Sequence, residues 1–313
     1  MEKRQPDIIK KTSIGGQALI EGIMMRGPET TAMAVRHVSG KIIIEEWETA
    51  GKNKPRFMRL PFVRGIFNFI DSLRFGYKCL MRSAELSGLE EEEEEKDEKK
   101  GVSPKLMNFL MALSAVLGVA VAVVLFVWLP AFLFRSLCKA APAFNHALLR
   151  GVFEGVFRIV LFVGYIALVA QMKDIKRVFM YHGAEHKTIF CYEQGKSLTV
   201  ENIRPECRFH PRCGTSFMIL MLLVGMIVSM LIPDMNSVLR TVVKILTIPV
   251  VVGVGYELIK LAGRKDNLFT RIISAPGLWM QRLTTKEPDD SMIECAIAAM
   301  ERVIPDDPEA DKW

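Results

Sequence analysis

The sequence has few cysteines, and they do not form a disulfide framework. Six are scattered through the 313 residues, at Cys79, Cys138, Cys191, Cys207, Cys213 and Cys295. Disulfide-stabilised secreted domains are short and carry cysteines at close, regular spacings. Five of the six fall in segments that we predict to lie in the cytosol. The pattern therefore indicates a reducing compartment and free thiols.

The sequence also lacks the features of a secretory signal peptide. Its N-terminal segment, MEKRQPDIIKKTSIGG, is charged and has no apolar core followed by a small-residue cleavage site. Basic stretches interleaved with aromatic residues, as in RNA-binding proteins, are missing too. The net charge of +6 therefore fits attraction to an anionic inner membrane leaflet better than nucleic-acid binding.

Half of the residues are hydrophobic, and many of them lie in long uncharged runs. Residues 106–134 contain no charged side chain, and neither do residues 214–233. A helix needs about 20 apolar residues to cross the core of a bilayer. Both runs therefore predict transmembrane helices.

Two further apolar segments are interrupted by charge. Residues 159–172 reach spanning length only if the helix extends back past Arg158 and Glu154, which lie four positions apart and could pair on one helix face. Residues 241–263 contain three charged residues and a proline, but Lys244 and the other lysine lie near the ends and can snorkel. We predict that both segments are spans, which gives about four.

The predicted architecture is an α-helical multi-pass membrane protein with about four transmembrane helices and a small α+β cytoplasmic part. Basic residues concentrate between the second and third spans, so the positive-inside rule places that segment and both termini in the cytoplasm. The predicted segments are a cytoplasmic N-terminal region with a β-hairpin at 1–55, a basic amphipathic interfacial helix at 56–85, an acidic linker at 86–104, transmembrane helices 1 and 2 at 105–172, a cytoplasmic loop with a candidate metal site at 173–213, transmembrane helices 3 and 4 at 214–263, and a cytoplasmic C-terminal tail at 264–313.

Three local patterns support these segments. Residues 56–85 have apolar side chains every three to four positions with basic ones between them, which indicates a helix lying on the membrane surface or packed on the protein's own core; both interpretations stay open. Loose alternation on both sides of Ser39-Gly40 predicts the β-hairpin. Ser291 and Glu294 form a capping-box pattern that predicts a closing helix with an apolar face.

The segment YHGAEHKTIFCYE carries the strongest chemical pattern. His182, Glu185 and His186 stand in H-x-x-E-H order, the inverzincin signature. On a helix, residues four apart share a face, so both imidazoles could reach one cation while Glu185 takes a proton from metal-bound water. His210 and Cys213 follow within a short distance and offer the nitrogen and sulfur ligands that zinc prefers.

Weaker candidates and a structural alternative stand beside this site. Glu193 and Cys207 are less favoured as ligands, and Cys191 is better explained by packing. The histidines could instead form a polar cluster that only hydrogen-bonds, or part of an organic-ligand site. Glu21 lies among glycines, where isolated acids are often functional. Glu287 and Asp289, in TTKEPDD, are potential hard-metal ligands or simply the acids that begin a helix.

Four motifs, GGQALIEGIMMRGP, YHGAEHKTI, HPRCGTSF and APGLWMQRLTTKEPDD, together resemble the bacterial YqhQ-like family. These are multi-pass membrane proteins of unassigned function, often labelled predicted metal-dependent enzymes. The resemblance covers about residues 14–300 in the same motif order, and Cys207 lies outside the third motif. Carried over by motif, it points to Glu21, Arg26, His182, Glu185, His186, His210, Cys213, Glu287 and Asp289.

The favoured function is a metal-dependent hydrolase at the cytoplasmic face of the bacterial inner membrane. His182, His186 and either His210 or Cys213 would hold a divalent metal, with zinc favoured, and Glu185 would be the general base. The substrate would be a membrane protein or a lipid-linked molecule. The alternative is a non-catalytic scaffold that recruits cytoplasmic partners and has at most a structural metal; a transporter is less favoured, because the spans contain few charges. A closed four-ligand site would favour the scaffold, and an open three-ligand site would favour catalysis.

Overall fold

The structure, a computed structural model, describes residues 9–49, 55–89, 104–144, 146–233, 235–264, 267–307 and 309–312. Within these ranges the protein is mostly helical, with one antiparallel sheet. The strands are β1 at Gly15–Leu19, β2 at Gly22–Arg26, β3 at Thr30–Arg36 and β4 at Ile42–Glu48. The helices are α1 at Val63–Ser87, α2 at Pro104–Val123, α3 at Leu129–Ala140, α4 at Ala147–Val169, α5 at Lys173–Glu193, α6 at Val200–Ile203, α7 at Gly214–Leu231, α8 at Ser237–Arg264, α9 at Leu268–Thr284 and α10 at Asp290–Glu301.

The sheet is a four-stranded meander in the order β1-β2-β3-β4. The predicted hairpin around Ser39-Gly40 is confirmed as β3–β4, with Gly40 at a φ of 84° in the turn. A second hairpin, β1–β2, was not predicted, because apolar and polar residues do not alternate regularly along its glycine-rich strands. Its register pairs Leu19 with Gly22, so Ile20 and Glu21 form a two-residue turn, and Glu21 has a φ of 49°.

The sheet is buried on both faces. One face, with Ile23, Met25 and Ala34, packs against α5 and α10 in the main hydrophobic core. The other face, with Met33 and Val35, packs against α1. Because strands covered on both sides need apolar residues at successive positions, β2 and β3 do not show simple alternation.

Helix α1 packs on the protein's own core along one face. Phe75 contacts Trp47 of the sheet edge to face, and Asn68 donates to the Tyr256 hydroxyl of α8 over 2.9 Å. On the other side, Leu73 and Tyr77 are exposed. The helix runs two residues past the predicted end at 85, so the start of the predicted acidic linker is helical; residues 90–103 of that linker lie outside the described residues.

Four helices are long and apolar enough to cross a membrane, which agrees with the predicted number. They are Ala112–Ala140, Ala147–Val169, Gly214–Leu231 and Val238–Arg264. The first extends beyond the predicted uncharged run because α2 continues through a π-helical turn, Val124–Trp128, into α3. The second begins earlier than the 159–172 run and contains Glu154 and Arg158, which pair as expected, with 3.3 Å between their side chains.

Residues 173–213, predicted as the loop that connects the second and third spans, begin with a long helix. Residues 173–193 are the 21-residue helix α5, whose second half is almost entirely buried. This interval contains no proline, and Gly183 is its single glycine. The sheet, α5 and α10 all lie where α4 ends and α7 begins, so one end of the helical bundle carries the folded part that holds the candidate site.

Candidate metal centre

His182 and His186 lie one turn apart on the same face of α5. Their ring centroids are 4.4 Å apart. The helix is held from several sides, by β1 and β2 of the sheet and by α10. Since residues at positions i and i+4 project from one face, the H-x-x-E-H spacing places both imidazoles together, as the sequence predicted.

Both imidazoles are oriented by backbone carbonyls. His182 Nδ1 lies 2.8 Å from the Thr284 carbonyl oxygen at the end of α9, and His186 Nδ1 lies 2.6 Å from the Arg208 carbonyl oxygen. A carbonyl oxygen only accepts, so each Nδ1 is the donor and each Nε2 is left to face the opposite way. Metal-binding histidines are commonly fixed in this manner by a second partner.

Cys213 completes the group. It is the residue that begins α7, where its Sγ accepts from the Thr215 backbone N–H over 3.4 Å, and this sulfur lies 3.1 Å from His182 Nε2. One ligand atom from each of His182, His186 and Cys213 can be chosen so that all three lie within 4.8 Å of one another. Two imidazole nitrogens and one thiol sulfur are a donor set typical of zinc.

The three groups strongly affect one another's protonation. Burial raises the pKa of the Cys213 thiol, but the His182 and His186 imidazoles lower it more, so it lies well below its usual value. Burial lowers the pKa of His182, but the nearby Cys213 sulfur raises it to about 9. The geometry therefore favours a thiolate, which is the form of cysteine that binds metals.

Glu185 is buried beside this group with an incomplete set of hydrogen bonds. It is 5% exposed, and its Oε2 has no hydrogen-bond partner within the described part of the chain. The Gly16 backbone N–H of β1 donates to the carboxylate. Burial raises the pKa of Glu185, although His182 and His186 oppose this shift. A buried carboxylate oxygen without a partner is rare and indicates a water, ion or ligand at that point.

Gly16 separates Glu185 from a cavity. A Cβ at this position would lie 3.0 Å from Glu185 Cδ and 2.6 Å from the Met24 carbonyl oxygen, so only glycine lets the strand approach so closely. The cavity has a volume of about 300 Å³ and opens between the β1–β2 hairpin and α1. Arg26, Gly27 and Phe75 are among its lining residues. The cavity therefore borders the β1 strand at Gly16, the residue that packs against Glu185.

His210 lies near the group but is engaged elsewhere. Its Nε2 is 3.6 Å from a Glu193 carboxylate oxygen, and its Nδ1 accepts from the Arg212 backbone N–H. Arg212 also forms an ion pair with Glu193, which is fully buried. Burial, opposed by Glu193, lowers the pKa of His210 to about 4. The structure thus places His210 and Glu193 in a buried ion-pair cluster outside the three-ligand group.

Three other candidate residues make contacts outside the group of His182, His186 and Cys213. Cys207 Sγ lies against the Phe209 backbone, and Cys191 is buried in the core as expected. Glu21 forms a bidentate ion pair with Arg177, in which the Nε and Nη2 atoms of Arg177 each lie 2.5 Å from a carboxylate oxygen of Glu21.

The TTKEPDD acids have local roles. Glu287 pairs with Lys187 at 2.5 Å and with Arg208 at 3.1 Å. Asp289 begins α10 by accepting from the Met292 N–H over 3.0 Å, so the helix-starting interpretation is the one that the geometry supports. The predicted capping residue, Ser291, was wrong by two positions, because Asp289 takes that place.

Several residues of the site were not predicted. The carbonyls of Thr284 and Arg208 orient the histidines, and a backbone carbonyl has no sequence signature. Gln281 is fully buried and joins the His210 backbone to the Ser216 hydroxyl through its side-chain amide. A glutamine in an amphipathic helix gives no signal of this role, because such residues are usually solvated.

Comparison with known proteins relates the chain to proteins without an assigned activity. A family described as "Protein of unknown function (DUF1385)" matches residues 60–306. The chain is 36% identical over 296 residues to "Uncharacterized protein YqhQ" of Bacillus subtilis (strain 168), which covers 93% of this chain and 92% of the relative. No solved structure is significantly similar.

Proposed function

The chain belongs to the DUF1385 family, whose function is unassigned, and we propose that it is a metal-dependent hydrolase. His182, His186 and Cys213 would hold the metal, with zinc favoured. The observation that carries the proposal is the three-membered ligand group beside a buried glutamate. Structural zinc sites close with about four protein ligands, whereas catalytic ones leave a position for water or substrate.

The donor set fits the metal. Both histidines present Nε2 because their Nδ1 atoms are occupied by carbonyls, and the cysteine is held as the N-cap of α7. His210 Nε2 faces Glu193 at 3.6 Å and is not in the three-residue group, and we therefore propose a site with three protein ligands. The unsatisfied Oε2 of Glu185 is an independent sign that something polar belongs at this point.

Each residue of the site has a role in the proposed reaction. A bound zinc ion would lower the pKa of a coordinated water to about 7. Glu185 would accept the proton through Oε2, and the Gly16 N–H would keep the carboxylate oriented.

The position of the site supports a membrane-associated substrate. Cys213 begins one candidate span, and α5 follows another after a short connection. We propose that this end of the bundle, with both termini, faces the cytoplasm of the inner membrane, because the basic residues concentrate here. A membrane protein or a lipid-linked molecule could then present its scissile bond at the interface.

The test is metal content by mass spectrometry on protein purified in detergent without chelators. We expect about one zinc per chain in the wild type and in Glu185→Gln, because Glu185 is not a ligand, and a loss of metal in the His182→Ala, His186→Ala double variant. His146→Ala is the matched control, since His146 is exposed at the start of α4 and far from the site. Metal that persists in the double variant would overturn the proposed ligand set.

One specific observation favours a second candidate. The 3.1 Å contact between Cys213 Sγ and His182 Nε2, with His182 oriented by Thr284, is also the geometry of a cysteine nucleophile and its base. A wild-type protein without metal, in which iodoacetamide modifies Cys213 rapidly, would support this candidate. A scaffold with a structural metal instead predicts that Glu185→Gln leaves both metal content and cellular function unchanged.

A further inference from the structure

Helix α1 has an apolar stripe that no described part of the protein covers. Its exposed members, spaced three to four residues apart, are Ile70 at 43%, Leu73 at 57%, Tyr77 at 65% and Met81 at 36%. This spacing puts them on one face, whereas the opposite face, with Cys79, is buried against the sheet. Contiguous exposed apolar residues mark contact sites for membranes or other proteins. The stripe therefore calls for an occupant outside the described residues.

The first half of α1 packs directly on two candidate spans. A Cβ at Gly65 would lie 2.7 Å from the Tyr256 Cβ and 3.3 Å from the Gly253 Cα, so the backbones of α1 and α8 are close together. The Phe69 ring lies 5.7 Å, between centroids, from the Phe217 ring of α7. Both α7 and α8 are long and apolar enough to cross a membrane. The medium that surrounds these two helices therefore also reaches α1.

The contacts with α8 lie at the level of one membrane leaflet. From Gly253 to Arg264, the last residue of α8, a helix rises about 16 Å at 1.5 Å per residue. Lys11 donates to the Gly263 carbonyl over 3.1 Å, so this end of α8 lies beside the N-terminal segment, on the side of the candidate metal centre. One leaflet contributes about half of a hydrocarbon core that is about 30 Å thick. In a bilayer crossed by α8, the first half of α1 therefore lies at the depth of the leaflet on the metal-centre side.

The charge at this depth is paired. Arg64 binds both carboxylate oxygens of Glu257 on α8, through Nε at 2.7 Å and Nη2 at 2.5 Å. The Phe62 backbone N–H donates to the same carboxylate over 3.2 Å. Charged groups at membrane depth are retained where they pair with one another. This ion pair therefore joins α1 to α8 in a form that a lipid environment tolerates.

The segment before α1 extends its apolar surface. Phe57, Leu60 and Phe62 are 53–55% exposed. Arg56 and Arg59 lie between them, and their long stems allow the guanidinium groups to reach toward headgroups. Aromatic and leucine side chains mixed with basic ones are typical of segments seated at a membrane interface.

Farther along α1, the exposed surface becomes basic. Arg74 and Lys78 are exposed on the two sides of Tyr77, and from Gly65 to Lys78 the helix rises about 20 Å. Tyrosine and basic side chains are favoured at the level of the headgroups, and the inner leaflet is anionic. The order of residues along α1 therefore matches the passage from acyl chains to anionic headgroups.

We propose that α1 is seated in the leaflet on the side of the candidate metal centre, with its apolar stripe among the acyl chains and Arg74 and Lys78 at anionic headgroups. This placement depends on the four candidate spans crossing the membrane and not on the hydrolase reaction. Lipid is the occupant because the helices on which α1 packs are themselves candidate spans. The other face of α1 packs on the sheet, where Phe75 contacts Trp47. A leaflet-bound α1 therefore holds the sheet, and with it the metal centre, at the membrane surface.

Cysteine labelling of the full chain in nanodiscs of phosphatidylcholine and phosphatidylglycerol tests whether the stripe meets water. The variants are Leu73→Cys and, as the matched control, Glu85→Cys, because the two side chains are similarly exposed, at 57% and 55%, and Glu85 lies about 18 Å farther along the same helix. Peptide mass spectrometry reads each cysteine separately, so the natural cysteines remain in place. We expect a water-soluble maleimide to modify Leu73→Cys at least about tenfold more slowly, since a low-dielectric environment suppresses the reactive thiolate. Equal rates would show that the stripe faces water and would overturn the proposal.

Photoactivatable lipids separate a lipid from a protein occupant. Phosphatidylglycerol or phosphatidylcholine with a diazirine in the acyl chain is added to nanodiscs that hold the wild-type chain, and peptide mass spectrometry maps the adducts. We expect adducts at exposed residues between Phe57 and Leu73 and none at the buried Cys79. Slow labelling of Leu73→Cys without lipid adducts on α1 would show that a second copy or another segment of the chain covers the stripe, which also overturns the proposal.

The headgroup preference is tested with the Arg74→Gln, Lys78→Gln double variant. On α1 the wild type should give more adducts from the phosphatidylglycerol probe than from the phosphatidylcholine probe, by about fivefold for each basic residue at the surface, and the variant should lose this preference. Lys41→Gln is the control, because Lys41 is exposed in the β3–β4 hairpin, beside the end of α1 that lies farthest from the spans. Equal yields from the two probes in the wild type would overturn the assignment of anionic headgroups to Arg74 and Lys78.

Discussion

At the residue scale, two backbone carbonyls decide what the histidines can do. Because Thr284 and Arg208 occupy the Nδ1 atoms of His182 and His186, both Nε2 atoms point to one place near Cys213. His210, only a few residues from Cys213, has the same chemistry but faces Glu193. Identical side chains thus differ in role because their hydrogen-bond partners differ.

The burial of His210 predicts a pH dependence of stability. Its pKa falls from an unfolded value near 6.5 to about 4 in the folded protein, so between these values the unfolded state binds more protons. The free energy of unfolding should therefore fall by about 3 kcal/mol as the pH drops from 6.5 to 4. Thermal unfolding of the detergent-purified protein across this range measures the effect.

The control for this prediction is His210→Gln. The variant should lose the part of the pH dependence between 4 and 6.5 that His210 contributes. Glu193 has a lowered pKa, because His210 and Arg212 outweigh the effect of burial, so its contribution is lost only below about 4.5 and the comparison with His210→Gln is made between pH 4.5 and 6.5. An unchanged slope in His210→Gln would show that other groups titrate in its place.

Gly16 gives a second test at this scale. A methyl group there would meet Met24 and Glu185, whereas one at Gly15 would meet nothing within 4 Å. Gly16→Ala should cost about 1–3 kcal/mol in stability through overpacking, while leaving the three metal ligands in place. Gly15→Ala is the neighbouring control and should be close to neutral. Similar thermal midpoints for the two variants would show that Glu185 does not pack on the strand as described.

At the element scale, helix α5 joins the sheet, the α9–α10 connection and the metal ligands. Its C-terminal half is buried, and the segment after α9 crosses it at Gly183, where the Lys286 N–H donates to the Phe179 carbonyl over 2.8 Å. Thr284, two residues before Lys286, accepts from His182. The contact between α5 and the segment after α9 therefore sets the orientation of the His182 imidazole.

Gly183→Ala should push helix α5 and the segment that follows α9 apart. A Cβ at this position would lie 2.0 Å from the Lys286 carbonyl oxygen, so the crossing segment must move and take the Thr284 carbonyl with it. We expect both a lower unfolding temperature and weaker zinc retention in a chelator competition. Gly164→Ala is the matched control, because Gly164 is also helical, in α4, and has nothing within 4 Å. Full zinc retention in Gly183→Ala would contradict the role of the Thr284 carbonyl.

Much of the element order was predictable, and the errors have a common cause. Long apolar runs, two of them without any charged residue, identified the four candidate spans, because a helix of about 20 apolar residues is typical of a membrane-crossing segment. The length of helix α5 was not predicted, because its sequence was used for the local H-x-x-E-H spacing and for the charge that indicates sidedness. The β1–β2 hairpin was missed because strands buried on both faces lose the alternation that marks a half-exposed strand.

At the scale of the whole molecule, the two ends of the chain are tied together next to the site. Asp311 is fully buried and accepts from the Thr12 hydroxyl over 2.7 Å and from the Tyr192 hydroxyl over 2.9 Å. Thr12 also donates its N–H to Glu193 of α5. With four candidate spans between them, both ends lie on one side of the bundle, which carries the metal centre.

The proposed orientation can be tested with two natural cysteines. Cys207 lies beside Phe209 at the end of the bundle that carries the candidate site, Cys138 lies near the C-terminus of α3 at the other end, and both are partly exposed. In intact cells, a membrane-impermeant maleimide should label Cys138 and should label Cys207 only after permeabilisation. The buried Cys295, whose pKa burial raises to about 11, is an internal control that should not react in either case. Labelling of Cys207 in intact cells would reverse the orientation.

The sequence by itself determined the four apolar helices that could cross a membrane, the helical spacing of His182 and His186, and the chemical nature of the candidate ligands. Each of these depends on local composition or on a fixed helical period. The grouping of Cys213, rather than His210, with His182 and His186, the position of Glu185 behind Gly16, and the meeting of Glu154 with Lys244 were decided by the tertiary structure alone. These features join residues that are distant in the chain, and their geometry depends on packing and on backbone carbonyls that leave no mark in the sequence.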